Sequence, residues 1–257
     1  MDLTSEGDTL CLNRDAPWDS FDSQSYTQHN YSALRPDDEE IINVVRDYFS
    51  DHFRTNPEWP VSGIDVGAGA NLYPALSLLP WCDEITLYER SAQNVDWLRN
   101  QIPRYGDSWD PFWQVLCKEE EYQDITNPRA RFAGSVTVEE GDLFRLPDRL
   151  RNQGVGTMFF VAESLSTSHR EFEGAVAAFI GSLAPGAPFA AAFMENSGGY
   201  LVGDELFPAC EVDSAKVEAS LDPHAAVEIL ERFGLPEGPV REGYTGMVLA
   251  CGRRGPS

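Results

Sequence analysis

Basic residues are scarce in this chain. Lys and Arg number 19 against 42 Asp and Glu, a formal net charge of −23. Such a field repels phosphate backbones and anionic lipid surfaces, which argues against nucleic acid or membrane as a partner. Most of the charge reads as a solvated acidic surface, with attraction of cationic substrates, amines included, as a minor contribution. Cysteine is sparse too: Cys11, Cys82, Cys117, Cys210 and Cys251 are odd in number and far apart, with no CxxC. His29, His52, His169 and His224 are not grouped with them. This argues against a disulfide scaffold and against a metal site, and the expected compartment is the reducing cytoplasm. No apolar run approaches the about 20 residues needed to span a bilayer. Met1–Glu6 has neither the basic start nor the apolar core of a secretory signal. Repeats, low-complexity tracts and a second core are also lacking. The expectation is one domain over residues 1–257, monomeric or weakly dimeric, with a flexible tail at 1–17, an N-terminal cap at 18–60 and an α/β core at 61–257.

Against these absences, the stretch Val61–Tyr73, VSGIDVGAGANLY, carries a clear signal. Val61, Ile64 and Val66 form a short apolar run, Gly67-Ala68-Gly69 follows at once, and a helical pattern opens at Asn71. A buried strand that stops at a Gly-x-Gly turn and passes into a helix is how an α/β sheet holds a nucleotide-like ligand. A dinucleotide fingerprint wants a third glycine three residues on, where this chain has Leu72. The loop therefore reads as a cradle for S-adenosylmethionine (SAM), which has no phosphate.

The flanking pattern supports an α/β alternation. Trp18, Phe21, Tyr26 and Tyr31 are too dense in aromatics for a disordered arm. Acidic residues at 37–40 ahead of Ile41, Ile42, Val45, Tyr48 and Phe49 predict a helix over 37–53. Strands are expected at 85–89, 136–139, 157–162, 188–194 and 246–252. Helices are expected after the Ser91 cap, at 112–125, at 171–183 and at 222–233. The fold class that follows is a Rossmann-like, doubly wound, mostly parallel seven-stranded sheet with an N-terminal helical cap.

Two further positions suit SAM. Glu89 ends the second strand 20 residues beyond Gly69, where a carboxylate can accept both ribose hydroxyls. Asp142-Leu143, after strand three, can offer an acceptor and a backbone N–H to the adenine edge.

These residues resemble the family of small-molecule methyltransferases that includes nicotinamide N-methyltransferase, phenylethanolamine N-methyltransferase and thioether S-methyltransferase. The resemblance runs from about Tyr26 to Arg253. IDVGAGANLY matches the family's first motif, YERSAQN (88–94) its acid-Tyr-Ser-x-Gln-Asn stretch, and GDSWDPFW its Trp-containing segment. YTQHNY (26–31) resembles its N-terminal tyrosines, and APGAPFAAAFMENSGGYLVG (184–203) its strand-five segment. The resemblance implies that Tyr26 and Tyr31 close over the cofactor, with Gly67, Gly69, Asn71, Tyr73, Glu89, Asn94, Asp142, Leu143 and Ala162 completing its site. It departs at Asn30, which replaces the second tyrosine of an adjacent pair. It departs again in the compact loop 162–172 and in the shorter path from Glu195 to Tyr200. The acceptor pocket has therefore been rebuilt, and the family's known substrates do not transfer.

Methyl transfer from a sulfonium needs close positioning and a nucleophile with a free lone pair. Glu195, at the family's substrate-acid position, is expected to position an amine, and Glu163 to face the sulfonium end. His169 is the candidate base for a hydroxyl acceptor. Tyr200 and Phe207 are expected to wall an apolar acceptor. The activity expected is metal-independent methyl transfer to a small molecule, with nitrogen favoured. An O-methyltransferase and a silent SAM-binding module are the alternatives.

Overall fold

The computed structural model describes residues 10–234 and 243–256. After a 3-10 turn at Trp18–Ser20, helix α1 (Ser23–Tyr31) starts at Asp22, whose carboxylate accepts from the backbone N–H groups of Gln24 and Ser25. Helix α2 (Pro36–Thr55) has proline in its first turn and Asp37, Asp38 and Glu39 at its positive end, and it buries Ile41, Ile42, Val45, Tyr48 and Phe49. Strand β1 (Val61–Val66) leads through the glycine loop into the short α3 (Tyr73–Ser77). Strand β2 (Cys82–Glu89) and α4 (Ala92–Gln101) follow, the latter capped by Ser91.

The single helix expected at 112–125 is two short ones, α5 (Asp110–Leu116) and α6 (Glu120–Gln123). The chain turns between them so that Glu119 and Glu121 both meet Arg54 of α2. Tyr122 drops into the core, where its hydroxyl donates to the Ser77 carbonyl at 2.7 Å. Helix α7 (Pro128–Ser135) then precedes β3 (Val136–Glu140). Strand β4 (Val155–Phe159) is shorter than the apolar run 157–162 suggests, because Phe160 leaves the strand with φ 61°. Next come α8 (His169–Ser182), β5 (Pro188–Glu195) and a hairpin, β6 (Gly199–Val202) with β7 (Glu205–Pro208), where only a loop was expected.

The expected last helix at 222–233 is also replaced. Helix α9 (Ser214–Leu221) comes earlier, and residues Ala225–Phe233 form strand β8, antiparallel to β9 (Gly246–Arg254). Ala226, Leu230 and Phe233 fit a helical face as well as a strand, and pairing with the wholly apolar start of β9 decides the matter.

The main sheet runs β3-β2-β1-β4-β5-β9-β8, with β9 antiparallel to both its neighbours. Alternate residues of β5 feed opposite layers, Ala190, Ala192 and Met194 toward α2 and Phe189, Ala191 and Phe193 toward α8. Strand order reverses between β1 and β4, and in doubly wound sheets the crevice outside the carboxyl ends at that point takes the ligand.

Residues 10–17, expected within a flexible tail, are tied down. The Asn13 N–H donates to Glu171 at 2.8 Å, the Cys11 N–H donates to Thr167 at 3.0 Å, and the Trp18 indole donates to the Asn13 carbonyl at 2.9 Å. Residues 1–9 of that tail lie outside the described residues. No helix among the described residues is long and apolar enough to cross a membrane.

Candidate active site

The loop after β1 shapes the floor. Gly67 and Gly69 have φ of +64° and +56°, which L side chains adopt only under strain. A Cβ on Gly67 would also lie 2.5 Å from Val161, so this position is closed sterically as well. The Gly67 N–H donates to the Tyr88 carbonyl at 2.7 Å, and the Gly69 N–H donates to Glu89 Oε2 at 2.8 Å.

Glu89 ends β2 and is buried. Its Oε1 accepts from the Ser91 N–H at 2.7 Å, and Asn94 Nδ2 stands 3.5 Å away. Burial pushes its carboxyl above the usual range, while the backbone donors of Ser91 and Gly69 pull it back. The backbone N–H of Arg90 bears on it as well, so the carboxylate is ringed by neutral donors. Asn94 Oδ1 accepts from the Ser23 hydroxyl at 2.7 Å, and Thr27 Oγ1 reaches the Ala70 carbonyl at 3.3 Å. The N-terminal cap is thereby pinned to the glycine loop. Asn71 is buried, its Oδ1 accepts from the Tyr73 N–H at 3.1 Å, and its side chain also bears on the Tyr73 phenol.

Above this floor lies a cavity of about 750 Å³, counted out to its open mouth. Gly67–Asn71, Glu89, Arg90, Asn94, Gly141 and Leu143 line one side. Asn13, Trp18, Phe21, Tyr26, Tyr31 and Tyr200 line the other, and Phe159, Phe160, Val161, Ser164 and Leu165 close the end. Eight of the lining residues are aromatic, Trp18, Phe21, Tyr26, Tyr31, Tyr88, Phe159, Phe160 and Tyr200, and the polar groups are few, as in small-molecule sites. Phe160 is held in its left-handed conformation by its N–H, which donates to the Ala192 carbonyl at 2.7 Å. A bulky residue there stores about 1–3 kcal/mol of strain, a cost that persists mainly at functional sites.

Of the residues expected to meet the cofactor, Tyr26, Tyr31, Gly67, Gly69, Asn71, Glu89, Asn94 and Leu143 are brought together on this wall. Three are not. Tyr73 is wholly buried behind it, stacked on Phe112 at 5.8 Å and edge-on to Phe159 at 5.5 Å. Asp142 turns aside to accept from the Phe144 N–H at 3.0 Å and to pair with Arg90 at 3.3 Å, leaving Gly141 and Leu143 on the wall. Ala162 is buried in the 3-10 turn after β4, where Val161, Ser164 and Leu165 face the cavity.

The expected catalytic residues all lie off the wall. Glu195, the last residue of β5, forms a two-pronged ion pair with Arg232 of β8 at 2.6–2.9 Å and accepts from the Thr245 hydroxyl at 2.6 Å. Arg232 above all holds its carboxyl below the ordinary value. Arg232 reaches it across Gly246, which sits opposite Glu195 in the sheet and has no side chain to block the way. Glu163 is fully buried and turned toward β5, where its Oε1 accepts from the Met194 N–H at 3.0 Å. His169 is exposed in the first turn of α8, with Nδ1 3.1 Å from Cys210 Sγ. Each of these polar groups is drawn to a packing or pairing partner instead of the cavity. Of the two expected acceptor-site rings, Tyr200 lines the cavity. Phe207 stacks behind it at 5.5 Å and packs against Trp18 and Phe21, anchoring the hairpin to the cap.

Trp18 and Phe21 were visible in the sequence as part of an aromatic cluster that had to cover something. Asn13, Arg90, Phe160, Ser164 and Leu165 carried no local signal, because the turns after β2 and β4 and the docking of residues 10–17 place them.

A family model described as the NNMT/PNMT/TEMT family matches residues 10–233. No curated protein sequence matches the chain. Among solved structures, a SAM-dependent methyltransferase from Methanosarcina mazei superposes with a TM-score of 0.58 at 12% identity, covering 88% of this chain and 100% of that one. One from Clostridium acetobutylicum gives 0.53 at 11% identity, covering 82% and 91%. The N-methyltransferase NodS from Bradyrhizobium japonicum WM9, in complex with S-adenosyl-L-homocysteine, gives 0.52 at 11% identity, covering 91% and 99%. At these identities the structural likeness speaks to the fold.

Proposed function

The chain belongs to the NNMT/PNMT/TEMT family of SAM-dependent methyltransferases, and on that premise we propose that it methylates a small molecule at a neutral nitrogen. It is an enzyme, and its methyl donor is SAM. When bound, SAM supplies an electrophilic methyl group; the chain has to orient it, exclude water and present the acceptor.

Glu89, already steadied by two backbone N–H groups, is assigned to the ribose hydroxyls. Asn71 and the rings of Tyr26 and Tyr31 are assigned to the amino-acid end, and Gly141 with Leu143 to the adenine side. The aromatic faces of Trp18, Phe21 and Tyr200 favour a positive charge beside them, whether on the sulfonium or on a methylated nitrogen.

The observation that carries the choice of nitrogen is the chemistry of the wall. Among the described residues, Glu89 is the one carboxylate lining the cavity and no histidine joins it. A hydroxyl acceptor needs a base to take its proton, and His169 stands outside beside Cys210. A neutral amine needs none, because its lone pair attacks directly and the proton is lost afterwards.

Following S-adenosylhomocysteine formation across a panel of amines and phenols tests this. Turnover of amines without phenols is expected. Turnover confined to phenols, with a pH profile lost in His169→Ala, would reverse the assignment.

A further inference from the structure

A second cavity adjoins the first. It has a volume of about 1200 Å³ counted out to its open mouth, and it lies between α1, which contributes Ser25, His29 and Asn30, and the β6–β7 hairpin. Tyr26 and Tyr200 line both cavities, so these two rings form the partition between the cofactor chamber and the outer cleft. Inward-facing Tyr200, Val202 and Phe207 bind the hairpin to the cap. Leu201 and Leu206, direct cross-strand partners, stand out at 68% and 65% exposure. Two leucines side by side in solvent are costly to leave uncovered at the mouth of a site. Among the described residues, no carboxylate, lysine or arginine lines the outer cleft.

We propose that the acceptor is an amine with an elongated apolar body. The body lies along the Leu201–Leu206 face of the cleft, and the nitrogen passes between Tyr26 and Tyr200 to the methyl group. This rests on the methyltransferase reading above and narrows its substrate class. Three observations favour this occupant over a single-ring amine. The cleft shares Tyr26 and Tyr200 with the reaction chamber, so a molecule reacting inside has only these two rings to pass to extend into it. Among the described residues its lining offers Leu201, Val202 and Leu206 for apolar contact and no lysine or arginine for an anionic body. The chain's net charge of −23 draws alkylammonium ions toward it, and these give a proton to water before entering the chamber as the neutral amine. In the transfer the nitrogen lone pair forms the new N–C bond as the C–S bond breaks. The sulfur keeps the bonding pair as a neutral thioether, and the methylated ammonium releases its proton to water if it carries one.

The test does not depend on finding the natural acceptor. Protein saturated with S-adenosylhomocysteine is titrated by calorimetry with straight-chain alkylamines from butylamine to decylamine. The dissociation constant is expected to fall about twofold to fourfold for each added methylene, the range from half to full burial of a CH₂. In the double variant L201S/L206S, altered at two exposed positions, S-adenosylhomocysteine affinity is expected to be unchanged and the length dependence to flatten. Equal affinity along the series, an unchanged slope in the double variant, or no alkylamine binding to protein that holds S-adenosylhomocysteine would each overturn the inference and leave the methyltransferase reading standing. Failure to bind S-adenosylhomocysteine at all would remove that reading of the site, and this inference with it.

Discussion

Glu89 and Glu195 occupy the same kind of position. Each is the last residue of a parallel strand, each is buried, and each follows an apolar run. Their surroundings give them opposite roles. Glu89 ends β2, one strand from the point where strand order reverses, and its fixed partners there are backbone N–H groups and a side-chain amide. These donors hold the carboxylate without neutralising its charge. Glu195 ends β5, one strand from the reversal on its other side, and Arg232 spans Gly246 to neutralise it. A strand-end acid is therefore available to a ligand when its partners are neutral donors. It is structural when a cation can reach it.

The strongest perturbation of the cofactor side is Gly67→Ala. The added methyl meets Val161 and forces an L residue to positive φ. A loss of about 3 kcal/mol or more in stability, together with loss of SAM binding, is expected from melting curves and calorimetry. Next is Glu89→Ala, which removes the ribose acceptor and leaves the Gly69 and Ser91 N–H groups without their partner. SAM affinity should weaken by roughly 1.5–3 kcal/mol, with wild-type affinity showing the assignment to be misplaced.

A third prediction concerns acids buried around the glycine loop. Burial pushes the Asp65 carboxyl up to about 8, opposed by the Thr157 hydroxyl at 2.7 Å. Burial and repulsion from Asp37 push Asp38 up to about 7, opposed by the Tyr73 phenol. Between the unfolded value of about 4 and these folded values, the native state holds protons that the unfolded state has released. These groups therefore stabilise the fold at low pH, and that contribution is lost as pH rises toward about 8. The melting temperature should be several degrees higher near pH 6 than above pH 8, and Asp65→Asn should flatten the dependence.

On the far side, Glu195→Gln is expected to cost no more than about 1 kcal/mol, since Arg232 is half exposed and the pair is screened. Amine turnover should stay within about twofold of wild type. A large drop in turnover at unchanged SAM affinity would restore Glu195 to the acceptor site and erase the contrast with Glu89. His169→Ala should have the smallest effect of all, leaving the pH–rate profile of amine methylation unmoved.

The cofactor side was legible in the sequence because its geometry is local. A strand, a tight turn with two glycines, and an acid at the end of the next strand are set by spacing along a few dozen residues, and Gly67, Gly69, Asn71 and Glu89 were readable on that basis. The cap was legible as well, from aromatics too numerous for a disordered segment. The rest depended on contacts between distant parts of the chain. Residues 222–233 carry a pattern that serves helix or strand, and only pairing with β9 chose the strand. Glu163, Glu195 and His169 each had the right chemistry in the right neighbourhood. Where they point was decided by Met194, Arg232 and Cys210, which lie 31, 37 and 41 residues away. Local spacing set the parallel strands, the turn and the cofactor. Tertiary structure decided which polar groups stay open to a ligand, because a buried charge takes whichever partner the packed chain brings within reach.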